Sequence, residues 1–346
     1  MSDKQAVYLD NRSYAVILLY TLPFVLMLLS LFVGRYHIPV SSVISELFLS
    51  SRAFLLGISL PMSTNHTVLF SIRLPRIIAA LLVGSALSVA GASFQGVFQN
   101  PLVSPYILGV GAGAGFGACL GILLSDSYMF VQLLAFIFGL LAMFSAILMG
   151  KVSKGAGNLV FVLSGIIVGS IFTSLISLAK YIADPYDDLP EIVFWLMGSL
   201  SSVRYVDVLW LAIPLIIGIT ILLLLRWRIN VLTLGDEEAK SLGVDIDKMR
   251  LVIIICATLV TSAAVSLSGI IGWVGLVVPH IARMLVGPNY VKLLPASIAI
   301  GASFLLLVDD LARTMTATEI PLGIITSLVG APLFAYLIKR GRLGWN

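Results

Sequence analysis

Residues 205–225 read YVDVLWLAIPLIIGITILLLL, 21 positions with a single charge, Asp207. As a helix this run rises about 31 Å, close to the roughly 30 Å hydrocarbon thickness of a bilayer. It offers no polar face that water could cover, so a soluble amphipathic helix is a poor account of it. Similar runs recur along the chain, at about 14–33, 70–92, 105–124, 127–149, 158–181, 248–268, 270–286, 292–312 and 320–339, which with 205–225 predicts ten transmembrane helices. A shorter apolar piece, Ile192 to Leu200, is too short to span and reads as a re-entrant or surface helix.

Composition agrees. Hydrophobic residues make up 59% of the 346 positions and charged residues 11%, against about a quarter charged in soluble domains. Within lipid every backbone polar group must be satisfied inside the span, which leaves helices or closed barrels. Barrel strands alternate in polarity over roughly ten residues, and these long uncharged runs do not. The expected fold is therefore an all-α polytopic membrane protein, one transmembrane domain over 1–346. The tail Met1 to Arg12 is polar, and no small-residue cleavage site precedes Arg35, so 14–33 reads as a span and not as a signal peptide.

The net charge of +4 reads as orientation signal and not as a nucleic-acid footprint. With ten spans both termini share a side. That side collects Lys4, Arg12, Lys151, Lys154, Arg226, Arg228, Lys240, Lys248, Arg250, Arg283, Lys292, Lys339, Arg340 and Arg342. The other side holds Arg35, Arg52, Arg73, Arg76, Lys180, Arg204 and Arg313, which puts both termini in the cytoplasm. Cys119 and Cys256 sit in apolar runs and read as packing residues. Six glycines between Gly109 and Gly121 read as close helix packing, or as a flexible pore-lining helix. Ser88, Gly91, Pro101 and Gly109 match Ser266, Gly269, Pro279 and Gly287 at an offset of 178, a faint sign of repeated halves.

The segment Leu234 to Val244, LGDEEAKSLGV, is a polar acidic insertion between spans. Gly235 precedes an acidic first turn of Asp236, Glu237 and Glu238, which favours a helix start, and Gly243 reads as its stop. Ala239 and Leu242 are the apolar contacts of this short helix, which either docks on a partner or is a solvated loop. Arg73 and Arg76 before the second span and Arg313 after the ninth stand at the outer mouth, where they bind acidic groups or snorkel to the interface. Asp309 lies four residues before Arg313, spacing for an i,i+4 pair. Asn100-Pro101 and Pro279 mark bends. His280 reads as a hydrogen-bonded structural residue, and His37 and His66 are too few for a metal site. No GxxxxGK[ST], HExxH, CxxC or GxSxG occurs, so neither ATP binding nor catalysis by this chain has a motif behind it. A proton- or sodium-driven transporter would want acidic groups at mid-membrane, and an embedded enzyme a paired acid and base; the runs carry neither.

Four segments carry a resemblance: RLPRIIAALLVGSALSVAGASFQGVFQNPLVSPYILGVGAGAG (73–115), GDEEAKSLGV (235–244), SGIIGWVGLVVPHIARMLVG (268–287) and DDLARTMTATEIPLGIITSLVGAPLFAYLI (309–338). In order and spacing they resemble the permeases of type II ABC importers, which carry iron-siderophores, haem and cobalamin. The resemblance implies ten helices per subunit and a homodimer with the pathway along the subunit interface. It implies two ATPase subunits, which bind ATP and Mg, and an extracytoplasmic binding protein; this chain itself would hold no cofactor and no metal. Residues Gly235, Asp236, Glu237, Glu238, Ala239, Leu242 and Gly243 then correspond to the helix that couples to the ATPase. Arg73, Arg76 and Arg313 correspond to the family's binding-protein contacts, and Asn100 and Leu102 to its cytoplasmic gate. Within the family, ADPYDDLPEIVFWLMGSLSS (183–202) departs from the cobalamin permeases, which leaves an iron chelate as first expectation and a molybdate or tungstate oxyanion as the alternative.

Overall fold

The computed structural model describes residues 2–57, 63–152, 157–243 and 245–339. Of the cations counted toward orientation, Lys154, Arg340 and Arg342 lie outside the described residues, as do Val244 and the side chains of Lys4, Arg12 and Lys151. The regular elements described are all helical: α1 (Ser2–Ser30), α2 (Val40–Leu56), α3 (Thr64–His66), a π segment (Thr67–Arg73), α4 (Leu74–Val97), α5 (Val110–Leu124), α6 (Tyr128–Val152), α7 (Gly157–Ile182), α8 (Asp188–Met197), α9 (Tyr205–Leu224), α10 (Arg226–Thr233), α11 (Asp236–Ser241), α12 (Ile246–Ser268), α13 (Val274–Val286), α14 (Tyr290–Ala312) and α15 (Leu322–Lys339). From α3 through α4 the chain is one continuous rod, Thr64–Val97.

Among the described residues, six helices are long and apolar enough to cross a membrane: Thr64–Val97, Tyr128–Gly150, Leu159–Ile182, Tyr205–Leu224, Ile246–Ser268 and Tyr290–Ala312. Shorter apolar helices, Val16–Ser30, Val110–Leu124, Val274–Val286 and Leu322–Leu337, stand at the other four expected positions. Two of these are short for a local reason. Before α5 the chain runs through Asn100-Pro101, Ser104-Pro105 and Gly109 at φ 75°, and before α13 through Gly269 at φ 68° and Trp273 at φ 69°. Proline removes a helix donor, and left-handed residues cannot continue a right-handed helix. The expected starts at 105 and 270 therefore move to Val110 and Val274.

Helix α4 is the axis of the bundle, and 83% of its rod's most apolar window is enclosed. Its sequence explains this. A Cβ at Gly84 would overlap the Gly301 carbonyl of α14, and one at Gly91 would overlap the Gly275 carbonyl of α13. Lipid supplies no hydrophobic drive between helices, so close backbone approach over small residues holds them instead. In α5 a Cβ at Gly113 or Gly117 would likewise strike the α6 backbone at Phe138 or Leu134, so packing accounts for the glycine-rich run. Helix α7 is the opposite case: only 17% of its window is enclosed, and Leu163, Ile167, Ile171 and Leu178 face outward.

The repeat at offset 178 is not reproduced, because its members occupy unlike positions: Gly91 lies mid-helix where Gly269 ends one, and Pro101 sits in a loop where Pro279 is helical. The short apolar piece expected at Ile192 to Leu200 is α8, with Ile192 fully buried. Ser199 N donates to Ser268 O at 2.8 Å and Leu322 N to Gly198 O at 2.8 Å, which ties α8 to α12 and α15. Helix α2 was missed. It is followed by Ser63, which caps α3 (His66 N to Ser63 Oγ, 3.0 Å) while donating to Glu46 Oε1 at 2.6 Å.

Candidate functional site

The residues singled out in the sequence gather at the two ends of α4. One end carries α11 and the loop after α4; the other carries the arginines. Along α4, Arg76 and Val97 are separated by about 32 Å.

At the first end α11 hangs between α10 and α12. Asp236, Glu237 and Glu238 occupy its first turn and are exposed, as is Lys240. Gly235 precedes it at φ 121°, and Gly243 follows at φ 75°. Ala239 is fully buried and fastens the helix to the body, while Leu242 is 58% exposed. The two expected apolar contacts thus divide, one inward and one outward. Arg250 of α12 donates to Asp236 Oδ1 at 3.1 Å, a second tether.

The neighbouring loop holds Asn100 and Leu102. Asn100 Oδ1 accepts from Leu102 N at 2.9 Å, and Leu102 is 57% exposed. Gln99, at φ 49°, donates its side-chain amide to Leu232 O of α10 at 2.7 Å. His280 of α13 is buried, with Nε2 3.0 Å from Pro101 O, the hydrogen-bonded role expected of it. A chain of direct contacts therefore runs from α11 through α10 to the Asn100 loop and on to α13.

At the other end Arg73, Arg76 and Arg313 are close together, but they do not stand at an open mouth. Their exposures are 3%, 5% and 4%, and all three guanidiniums turn inward. Arg73 donates to Leu31 O at 2.6 Å and Tyr36 O at 2.5 Å. Arg76 makes a double fork, with Nε to Asp309 Oδ1 and Oδ2 at 2.9 and 3.0 Å and Nη1 to Glu319 Oε1 and Oε2, both at 2.9 Å. Arg313 holds Asp310 and Ser30, and stands 3.8 Å from Asp309. The i,i+4 pair expected between Asp309 and Arg313 is thus secondary to the Arg76 fork. The reason is burial. Asp309 is wholly enclosed within an apolar helix, and a carboxylate there requires a close, hydrogen-bonded cation. Glu319 and Ser30 were not foreseen.

Among the guanidiniums that face outward at this end are those of Arg35 and Arg204. Arg35 is exposed, with Nε donating to Arg313 O at 3.2 Å. The Arg204 side chain is 62% exposed over Asp207, whose hydrogen bonds at the start of α9 hold the guanidinium pKa above its ordinary value.

Between the ends, the outward face of α7 carries Ser170, Thr173, Ser174 and Ser177, each hydroxyl donating to the carbonyl four residues earlier. The donor is turned back on the helix while the oxygen remains exposed, and a hydroxyl rotates readily between partners. Among the described residues no group of three or more His, Cys, Asp or Glu is placed to hold a metal ion. Cys119 and Cys256 are buried and free.

A helical body with repeated membrane-length apolar helices and its clustered charges at two ends is the architecture of a multi-pass membrane protein. The chain belongs to the FecCD transport family, whose model matches residues 22–340, and is an ABC importer permease. It is 40% identical over 318 residues to the Molybdate import system permease protein MolB of Haemophilus influenzae, covering 90% of this chain and 92% of that one. A Probable iron chelatin transport system permease protein of Helicobacter pylori is 42% identical over 281 residues, 81% of this chain and 85% of its own. Among solved structures, an inward-facing ABC transporter assigned to the metal-chelate type matches with a TM-score of 0.83 at 38% identity, covering 93% of this chain and 97% of that one.

Proposed function

We propose that this permease passes a metal chelate, an iron-siderophore or haem, delivered by an extracytoplasmic binding protein. Two copies of the chain enclose the path, and two separate subunits binding ATP and Mg drive it. The chelate is supported by the likeness to the iron chelatin permease and the metal-chelate type transporter; the drive by separate subunits is supported by α11, tethered inward by Ala239 and Asp236, offering Glu237, Glu238 and Leu242 outward, and linked by contact to the Asn100 loop. A helix of six residues so held moves as a unit when a partner presses on it. The displacement reaches Leu102 through the Gln99 bond to α10. In this reading Gly235 and Gly243 are its hinges, and Asn100 and Leu102 form the gate.

Ten crossings complete the topology, with the four shorter apolar helices as the remaining spans and both termini in the cytoplasm of a cell membrane. The docking surface for the binding protein is at the arginine end. There Arg73, Arg76 and Arg313 act as positioning residues that hold the outer loops, and the exposed Arg35 and Arg204 offer charge to an acidic partner.

A second reading has its own observation. The path would run along the exposed face of α7, whose hydroxyls supply hydrogen bonds without charge. A molybdate or tungstate oxyanion needs such donors, and a bulky chelate does not. The test is the elemental content of the cognate binding protein, isolated loaded and shown to stimulate ATP hydrolysis by the assembled transporter. Iron supports the chelate reading, molybdenum or tungsten moves the function to the oxyanion, and cobalt moves it to cobalamin. Uptake that persists without ATP and collapses with an ion gradient would overturn the importer mechanism itself.

A further inference from the structure

An apolar cavity lies on the outer surface of the bundle between α1, α4, α9 and α14. It is a cleft of about 420 Å³ lined by Pro23, Phe24, Leu81, Leu223, Pro295 and Ala299, among others, and its wall is almost wholly apolar. That volume falls within the roughly 300–1,000 Å³ of small-molecule sites. Phe24 is 70% and Leu28 60% exposed beside it, so the cleft is continuous with the lipid-facing surface of α1. An apolar space open to a bilayer does not hold water, because water there would lack polar partners.

One end of the cleft is basic. Lys292, Pro295, Ala299 and Ala302 follow one another at helical spacing on one face of α14, so exposed Lys292 sits one turn beyond the lining. Arg226 lies three residues past Leu223, at the start of α10. Asn230 Nδ2 donates to Asn289 Oδ1 at 2.9 Å, and Tyr290 N to Asn230 Oδ1 at 2.7 Å, which fixes the middle of α10, one turn past Arg226, beside the start of α14. Each of the two helices that line this end of the slot thus carries a cation three residues from a lining residue, Lys292 before Pro295 and Arg226 after Leu223.

We propose that this cleft binds one anionic phospholipid, an acyl chain lying against Pro295 and Ala299 and the phosphate between Lys292 and Arg226. The apolar wall accepts the chain of any lipid, and the paired cations select the headgroup. A basic side chain near a membrane surface contributes on the order of 1 kcal/mol to anionic lipid, or about fivefold in retention for each charge removed. The inference depends on the chain spanning a membrane and not on which ligand it transports.

The test is native mass spectrometry of the full-length protein released from vesicles of equal phosphatidylglycerol and phosphatidylcholine. The wild type is expected to retain phosphatidylglycerol preferentially. Lys292→Gln, a surface change, should lower that retention about fivefold, and Ala299→Leu should lower retention of both lipids by filling the slot. Equal retention of the two lipids by the wild type, or unchanged retention in both variants, would overturn the proposal. So would a disulfide between two copies of a Phe24→Cys variant in the membrane, because a second copy would then occupy the cleft.

Discussion

Replacing Asp309 with Asn tests the most enclosed charge in the molecule. Its side chain is fully buried, and that of Arg76 is 6% exposed. Removing one partner of a buried pair typically costs about 3–5 kcal/mol, because the other charge stays behind without compensation. Glu319 remains on Nη1 of Arg76 at 2.9 Å, so the loss should fall at the low end, about 3 kcal/mol. The assay is a denaturant titration of the purified protein in mixed micelles, read by tryptophan fluorescence. The companion variant is the double change Arg76→Leu with Asp309→Leu. It removes both charges and leaves Glu319, 23% exposed, free to turn to solvent. Replacing a buried pair by apolar residues is often neutral or stabilising, so the double variant should recover most of what Asp309→Asn lost. A loss below about 1 kcal/mol for Asp309→Asn, or a double variant less stable than the single, would refute the account of Arg76 and Asp309 as a buried pair.

Other expectations follow from particular contacts. Gly91→Val drives a side chain into the Gly275 carbonyl and should abolish monodisperse protein by size-exclusion chromatography, whereas Gly272→Ala, at a position with open space around it, should behave as wild type. Leu242→Asp should leave thermal stability nearly unchanged, as surface substitutions do, yet suppress ATPase stimulation in the assembled transporter; ATP-driven uptake at the wild-type rate would remove α11 from the coupling role. Arg204→Gln should weaken binding-protein docking at low salt and have little effect at high salt, and a salt-independent affinity would exclude that side chain from the contact. Thr173→Val with Ser174→Ala should lower oxyanion uptake at least tenfold if α7 lines an oxyanion path, a loss of about 1.4 kcal/mol of stabilisation; unchanged uptake of a confirmed oxyanion ligand would separate α7 from the path.

Where the signal is local, the sequence carries it. The uncharged runs around Leu211 and Ile254 place helices because hydropathy and length are summed along the chain. Asn100-Pro101 marks a break because proline acts on its own turn, and Gly235 and Gly243 bracket α11 because both adopt backbone that other residues resist. The partners of Arg76 are a different matter. Asp309 lies 233 residues away and Glu319 243, and no periodicity spans that distance. One clue was present: a carboxylate in the run LLLVDDLA (305–312) must find a cation. The nearby Arg313 satisfied that demand on paper and concealed Arg76. The inward turn of the three arginines was equally hidden, since a flanking arginine that snorkels and one that pairs inside read alike in sequence.

The packing of α4 constrains how the two ends communicate. Gly84 locks against α14 and Gly91 against α13 with no room for a methyl group, so α4 cannot bend or rotate without breaking both contacts. In the proposed coupling, movement at α11 would leave by the side, through Gln99 on Leu232 and His280 on Pro101. It arrives at α13, a helix of 13 residues interrupted by Pro279 and bounded by left-handed Gly269 and Gly287. There Gly330 of α15 packs on Trp273, which is itself held at φ 69°. Short segments with hinges at both ends have two arrangements available where a continuous packed helix has one. In the proposed mechanism the elements with room to switch are the loops before α5 and α13 and the α15 contact on Trp273, while α4 and the Arg76 cluster, with α13 and α14 packed on α4 at Gly91 and Gly84, form the frame.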